Sequence, residues 1–196
     1  MRKRGEQERE RGSIMKILQR SIVVIALLSL VSGCYMGISG RVIDAESQQP
    51  IEGAVVLVEW TKTHGFGEYW TESYKVVETV SDKQGNVKIA GCYSPFVNAP
   101  DVTVYKKGYV AWNDKHVFPK NDKRTDFEWR SGAVLKLEKF LSAYSYINHE
   151  TFIDGAAHLW LSTEKKTIFR NYYRESEIPK VIEEQKKRDK SKEPTK

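Results

Sequence analysis

Four histidines, His64, His116, His149 and His158, are the side chains of this sequence best suited to bind a metal or move a proton. A zinc peptidase needs two ligands on one face, as in His-x-x-Glu or His-Glu-x-x-His. The residues three positions after the four histidines are Gly67, Pro119, Phe152 and Leu161, and His149-Glu150 has no second histidine at the required place. There is no Gly-x-Ser-x-Gly elbow to expose a nucleophile and no glycine-rich loop to cradle a phosphate. Asp82 to Gly85 lacks the alternating carboxylates and terminal Glu of a calcium loop, so it reads as a hairpin turn. These absences predict no catalytic residue, no metal and no cofactor, and so a protein that is not an enzyme.

Contact chemistry is better represented. In His64-Gly-Phe-Gly-Glu-Tyr-Trp70, followed by Tyr74, glycines loosen the backbone between flat apolar side chains. Phe66, Tyr69, Trp70 and Tyr74 are therefore the candidate contacts to a ligand or partner, because aromatic residues dominate interface hot spots. A small domain's need for apolar burial favours the opposite outcome, with these rings folded over a sheet or under helices.

The two cysteines, Cys34 and Cys92, exclude a disulfide-stapled scaffold. Cys34 follows a basic N-terminal stretch, an apolar run from Ser21 to Ser32, and Gly33. That order marks a secretory signal, and the run is too short for a lasting transmembrane helix, which takes ~20 apolar residues. Leu30-Val31-Ser32-Gly33-Cys34 resembles the lipobox of bacterial lipoproteins. The resemblance implies cleavage before Cys34, a diacylglycerol on its thiol, and a lipid-anchored protein of the bacterial cell envelope. Tyr35, rather than Asp, follows the cysteine; by the sorting rule of enteric bacteria this favours the outer membrane, facing the periplasm. A start at Met15 instead of Met1 leaves the same mature protein. With Cys34 so used, Cys92 is expected to be buried.

The formal charge of +6 comes mostly from the signal. Of 32 basic and 26 acidic residues, seven and three lie in residues 1–33, which leaves 25 and 23 and a net of +2. So balanced a surface removes the electrostatic case for nucleic acid. The expected partners are the membrane, through lipid on Cys34, and an envelope protein or polysaccharide.

From Gly37 to about Lys139, short Val-, Ile-, Thr- and aromatic-rich runs alternate with turn signals, as in an all-β sandwich. Predicted strands are 38–44, 53–61, 69–80 (a strand with its hairpin partner), 87–90, 102–105, 109–112 and 133–137. In the second, Val56, Val58 and Trp60 share one face and Val55, Leu57 and Glu59 the other. Gly40-Arg-Val-Ile-Asp44, Pro50-Ile-Glu-Gly-Ala54, Thr79-Val-Ser-Asp82 with Gly85, and Gly108-Tyr109 together resemble the carboxypeptidase regulatory-like domain. That resemblance covers residues 38 to about 112 and implies a seven-stranded transthyretin-like β-sandwich. Ser81 stands where the family has a second Thr, and segments 62–74 and 111–130 exceed a simple hairpin.

After Phe140 the apolar spacing becomes helical. Asn148 is the predicted cap of a helix bearing Phe152, Ile153, Ala156, Ala157 and Trp160, and Ser162 or Thr163 that of a second with Ile168, Phe169, Tyr172 and Tyr173. Both stripes read as packing faces. Pro179 should start a last short helix at Lys180. The predicted organisation is a signal peptide (1–33), a β-sandwich (34–139), a helical extension (140–184) and a disordered charged tail (185–196). Replacing the anchor residue, Cys34→Ala, should leave an uncleaved precursor with no incorporated lipid, as read by radiolabelled palmitate and gel mobility.

Overall fold

The run Val55-Val-Leu-Val-Glu-Trp60 is apolar on both of its alternating faces but for one Glu, and only a strand covered on both sides can accept it. The computed structural model, which describes residues 15, 16, 19–21, 34–161 and 163–192, supplies both covers. The fold is mainly β, with a C-terminal helical layer. Its strands are β1 (Cys34–Tyr35), β2 (Ile38–Asp44), β3 (Val55–His64), β4 (Trp70–Val80), β5 (Asn86–Ile89), β6 (Cys92–Tyr93), β7 (Asp101–Tyr105), β8 (Trp112–Asn113), β9 (His116–Val117), β10 (Asp122–Lys123) and β11 (Ala133–Leu137). Two helices follow, α1 (Tyr146–Ala156) and α2 (Thr167–Lys192).

A four-stranded sheet, β4-β3-β7-β8, faces a three-stranded sheet, β11-β2-β5. All pairings are antiparallel except β11 with β2. Two-stranded ribbons, β1 with β6 and β9 with β10, complete the described set. Among the described residues there are eleven strands where seven were expected, because β1 and β6 form one short ribbon and the 111–130 segment folds another from β9 and β10. Strand 69–80 is one continuous arm whose partner is β3, not a second hairpin. The 109–112 strand shifts to Trp112–Asn113, and Tyr109 makes only an isolated bridge to Lys139.

Val56, Val58 and Trp60 pack between the sheets with Val42, Val104, Leu135 and Leu137, and Cys92 is buried in this core. Val55, Leu57 and Tyr105 face outward, under Ile153, Phe169 and Tyr173 of the helices. The face assignment predicted for β3 therefore holds, and the outer face is what the helical extension covers.

Carboxylates from distant elements fasten that layer. Glu78 on β4 accepts from the backbone N–H groups of Ile168 (3.0 Å) and Phe169 (2.8 Å), satisfying donors that the first turn of α2 leaves open. Glu184 of α2 does the same for α1, accepting from Tyr146 N–H at 2.6 Å. The N-cap of α1 is Ser145, not Asn148, and its hydroxyl accepts from Asn148 N–H. The predicted break at Pro179 does not occur: α2 runs through it to Lys192, its last turns carrying the i,i+4 pairs Glu183–Lys187 and Glu184–Arg188. The charged segment expected to be disordered from Gln185 is thus helical to Lys192; residues 193–196, and the predicted signal (1–33) apart from residues 15, 16 and 19–21, lie outside the described residues.

Deeper in the layer, Tyr105 donates its hydroxyl hydrogen to Glu177 at 2.6 Å. His149, fully buried, accepts from Ala111 N–H through Nε2, so Nδ1 carries the proton that faces Glu177 at 3.3 Å. Burial, reinforced by the Glu177 carboxylate, pushes the Tyr105 phenol far above its ordinary range, so it stays a donor. Glu177→Ala leaves the buried His149 Nδ1–H without its acceptor, while the Tyr105 hydroxyl can turn to Ser176 Oγ at 2.7 Å; the variant should cost about 1–3 kcal/mol in chemical denaturation, and Glu177→Gln, which keeps an acceptor, should cost less.

Candidate functional site

Antiparallel pairing places cross-strand partners on the same face, and it sorts the β3–β4 arm into two different surfaces beyond Trp60. Pairing is regular from Val55–Val80 to Trp60–Lys75, then shifts so that Thr61 meets Ser73 and Tyr74 becomes the extra residue of a bulge. Lys62, His64, Trp70 and Glu72 follow Trp60 on the inner face. The arm runs past the end of the smaller sheet here, and these side chains are half-buried or exposed.

The candidate contacts Phe66, Tyr69, Trp70 and Tyr74 all lie on this arm and all are exposed, Phe66 completely. The expectation that they fold over the sheet or under the helices is not met, because the core is already closed by Trp60, Trp129 and the layers around them. Trp70 stacks on His64 with centroids 5.5 Å apart and planes 20° from parallel. His64 Nε2 lies 2.8 Å from Glu72, and Lys62 sits 3.8 Å over the Tyr74 ring. These contacts fix two rings in place without covering them, so the arm presents ordered flat apolar faces to solvent.

The opposite face of the arm is a hydroxyl ladder. Asn98 donates to Thr61 (2.9 Å) and Thr63 (3.0 Å), which ties the 93–98 loop to the arm. Below it, Glu59 is buried on the helix side, where Lys166 Nζ donates to it at 2.8 Å and also to the carbonyls of Ala157 and His158. All three ammonium donors are thereby used. Burial works against the Glu59 charge, but His158 and Lys166 outweigh it and hold the carboxyl below its ordinary value. His158 stands at φ +44° and closes α1: its N–H bonds Gly155 and that of Leu159 bonds Asp154, a Schellman closure at a position that glycine usually takes. Its Nδ1 lies 3.5 Å from Glu59 and 3.8 Å from Asp101.

Asp101, its ion-pair partner Lys115 and His158 separate two hollows of about 470 and 520 Å³. Asn113, His116, Asn148 and Thr151 line the first, and Thr61, Thr71, Asn98 and Trp160 the second. Burial pushes the neighbouring Asp114 carboxyl up to about 6. The linings hold hydrogen-bond donors and acceptors together with charged groups of both signs. Trp160, expected to pack with the α1 stripe, is exposed beside His158, because the chain turns away after Ala156. Nothing in the spacing of Glu59, Asp101, Lys115, His158 and Lys166 announces this cluster, since each comes from a separate segment.

No family model matches the sequence, and neither does any curated protein. Among solved structures the chain is similar to a double mutant of the shaft pilin SpaA from Lactobacillus rhamnosus GG, at 16% identity over 57% of this chain and 49% of that one, with a TM-score of 0.35. It is similar to a streptococcal ancillary pilin at 16% identity, covering 54% and 29% of the two chains, with a TM-score of 0.29. A 9R-lipoxygenase from Cyanothece PCC8801 gives 12% identity, 68% and 25% coverage, and a TM-score of 0.29. This chain spans less than half the length of each, and likenesses so partial carry no weight below.

The Glu59–Lys166 pair joins β3 to the start of α2. Lys166→Met should destabilise the protein by about 3–5 kcal/mol in urea, by leaving a buried charge without its partner. Glu59→Gln in the same chain should recover much of that loss, and a double variant no more stable than Lys166→Met would contradict the pairing.

Proposed function

We propose that this protein is a non-catalytic accessory lipoprotein of the bacterial envelope, held at a membrane by lipid on Cys34 and presenting its β3–β4 arm to a protein partner. The observation that carries this reading is the exposure of four aromatic side chains on one arm whose backbone is paired through to His64–Trp70. A rigid strand pair holding exposed rings loses little conformational freedom on binding, which is the property of an interface anchor. The lipobox-like sequence before Cys34 supports the anchor and the envelope location, and Tyr35 supports the outer membrane, facing the periplasm.

A polysaccharide is the second reading. The stacked pair His64–Trp70 offers the kind of flat, edge-supported ring on which a sugar face packs. Both readings use Phe66, Tyr69 and Trp70, so they are separated by what is captured rather than by where.

A photo-cross-linking residue at position 66, in intact cells, should capture one envelope protein. The triple substitution of Phe66, Tyr69 and Trp70 by Ala should abolish that capture while shifting stability by no more than about 0.5 kcal/mol per site, as for surface positions. Loss of retention on envelope polysaccharide, with no protein captured, would favour the second reading. Unchanged behaviour in both assays would remove the arm as the site.

A further inference from the structure

The anchor residue and the folded domain are joined without a linker. Cys34 is itself the first residue of β1, paired in register with Tyr93, and Tyr35 is paired with Cys92. Tyr35 packs against the sandwich core. The two sides of the ribbon approach each other so closely that only glycine fits at position 91. A Cβ on Gly91 would lie 2.2 Å from the Tyr35 carbonyl oxygen and 2.5 Å from Gly37 N. Trp129 adds a hydrogen bond from its indole N–H to the Met36 carbonyl at 3.0 Å.

Lipid on Cys34 therefore places a bilayer directly against this end of the sandwich. Paired residues in an antiparallel ribbon lie about 5 Å apart, and two strand residues span about 7 Å. The polar layer on each side of a membrane is itself only about 5–7 Å thick. Residues this close to the anchor sit within or at the edge of that layer, whatever the tilt of the domain.

The side chains found there match such a setting. Met36, Tyr93 and Phe96 are exposed by 71, 71 and 77%, although their chain neighbours Tyr35, Cys92 and Val97 turn inward. Phe96 is a second and independent sign. It holds φ +58°, a conformation costly for a bulky side chain, between the buried residues Ser94 and Val97. Backbone strain at Phe96 is not repaid by burial of its ring within the protein; it is the cost of turning that ring outward. Tyr93 has the apolar ring and polar tip favoured at the headgroup level, and the wholly apolar Met36 and Phe96 suit the acyl boundary just below it.

We infer that the β1–β6 end of the sandwich seats on the lipid bilayer, with Met36, Tyr93 and Phe96 entering the boundary between headgroups and acyl chains. This rests on lipid attachment at Cys34. It adds a docking face that fixes the orientation of the domain, and it holds the neighbouring β3–β4 arm at membrane level. The partner reached by Phe66, Tyr69 and Trp70 is then one that exposes its surface beside the bilayer.

The test uses the full chain expressed in bacteria, purified as the lipidated protein and placed in phosphatidylethanolamine–phosphatidylglycerol vesicles. Met36→Cys, Phe96→Cys and, at the opposite end of the sandwich, Lys83→Cys each receive a polarity-sensitive fluorophore. Cys92 is shielded in the core, and Cys34 carries the lipid. Acyl chains bearing doxyl quenchers should lower the emission of the labels at 36 and 96 and leave that at 83 unchanged, while aqueous acrylamide should do the reverse. Acrylamide quenching at all three sites, with the acyl mass present on Cys34, would overturn the seated face and leave the anchor intact. Shielding of 36 and 96 from both quenchers would assign the face to a second copy of the chain and overturn it equally. Absence of the acyl mass would remove the anchor itself, and the proposal with it, by a separate readout.

Discussion

The structure depends on one strand that must be covered on both faces. β3 is buried from Val55 to Thr61, with Val56, Val58 and Trp60 directed at the smaller sheet and Val55 and Leu57 at the helices. A two-sheet sandwich alone would leave the second set in water, so the C-terminal helices complete the fold rather than decorate it. Glu59 makes the requirement stricter, because a buried carboxylate without a partner is costlier than an exposed apolar side chain. Lys166 meets it by reaching in from just ahead of α2, which fixes the start of that helix over β3.

The remaining attachments of the layer are polar and long-range. Glu78 receives the first turn of α2, Glu184 that of α1, and Glu177 links the Tyr105 phenol to His149. Thr103 donates to the Ala156 carbonyl at 3.0 Å, so the C-terminal end of α1 is satisfied by the sheet as well. Apolar contact alone would tolerate sliding of the helices over Val55, Leu57 and Tyr105. Each of these hydrogen bonds permits only one position, and their net contribution to stability is smaller than their contribution to register.

A consequence of this division is that the two ends of the sandwich differ. At the end of the Ser81–Gly85 turn, Gly85 takes φ +76° and its backbone lies so close to the Val42 carbonyl that the strands close tightly. At the other end the β3–β4 arm runs on past its neighbours, and the β1–β6 ribbon, the strained Phe96 and the hollows beside His158 gather around it. Exposed aromatic side chains and Cys34 thus share one end, while the opposite end is built of short polar turns.

The strands were legible because their burial is written locally. β2 and β11 begin and end where the apolar spacing and turn residues placed them, and the alternation in β3 told its two faces apart. The expectation placed on Cys34 has a related origin: a short apolar run followed by small residues is a contiguous signal. The β3–β4 arm was only half legible. Its residues announced contact chemistry, but whether Phe66, Tyr69 and Trp70 lay under helices or in water depended on where the smaller sheet stops. Pro179 misled because proline's local penalty was weighed without the tertiary contacts that carry α2 through it, and Ser145 displaced Asn148 as cap because Glu184 reaches Ser145 from 39 residues away. What the sequence determined by itself was what adjacent residues decide together: strand periodicity and turns. Only the tertiary structure decided the Glu59–Lys166–His158 cluster, the helix caps and the exposed end, because their energies arise between groups that the chain order keeps far apart.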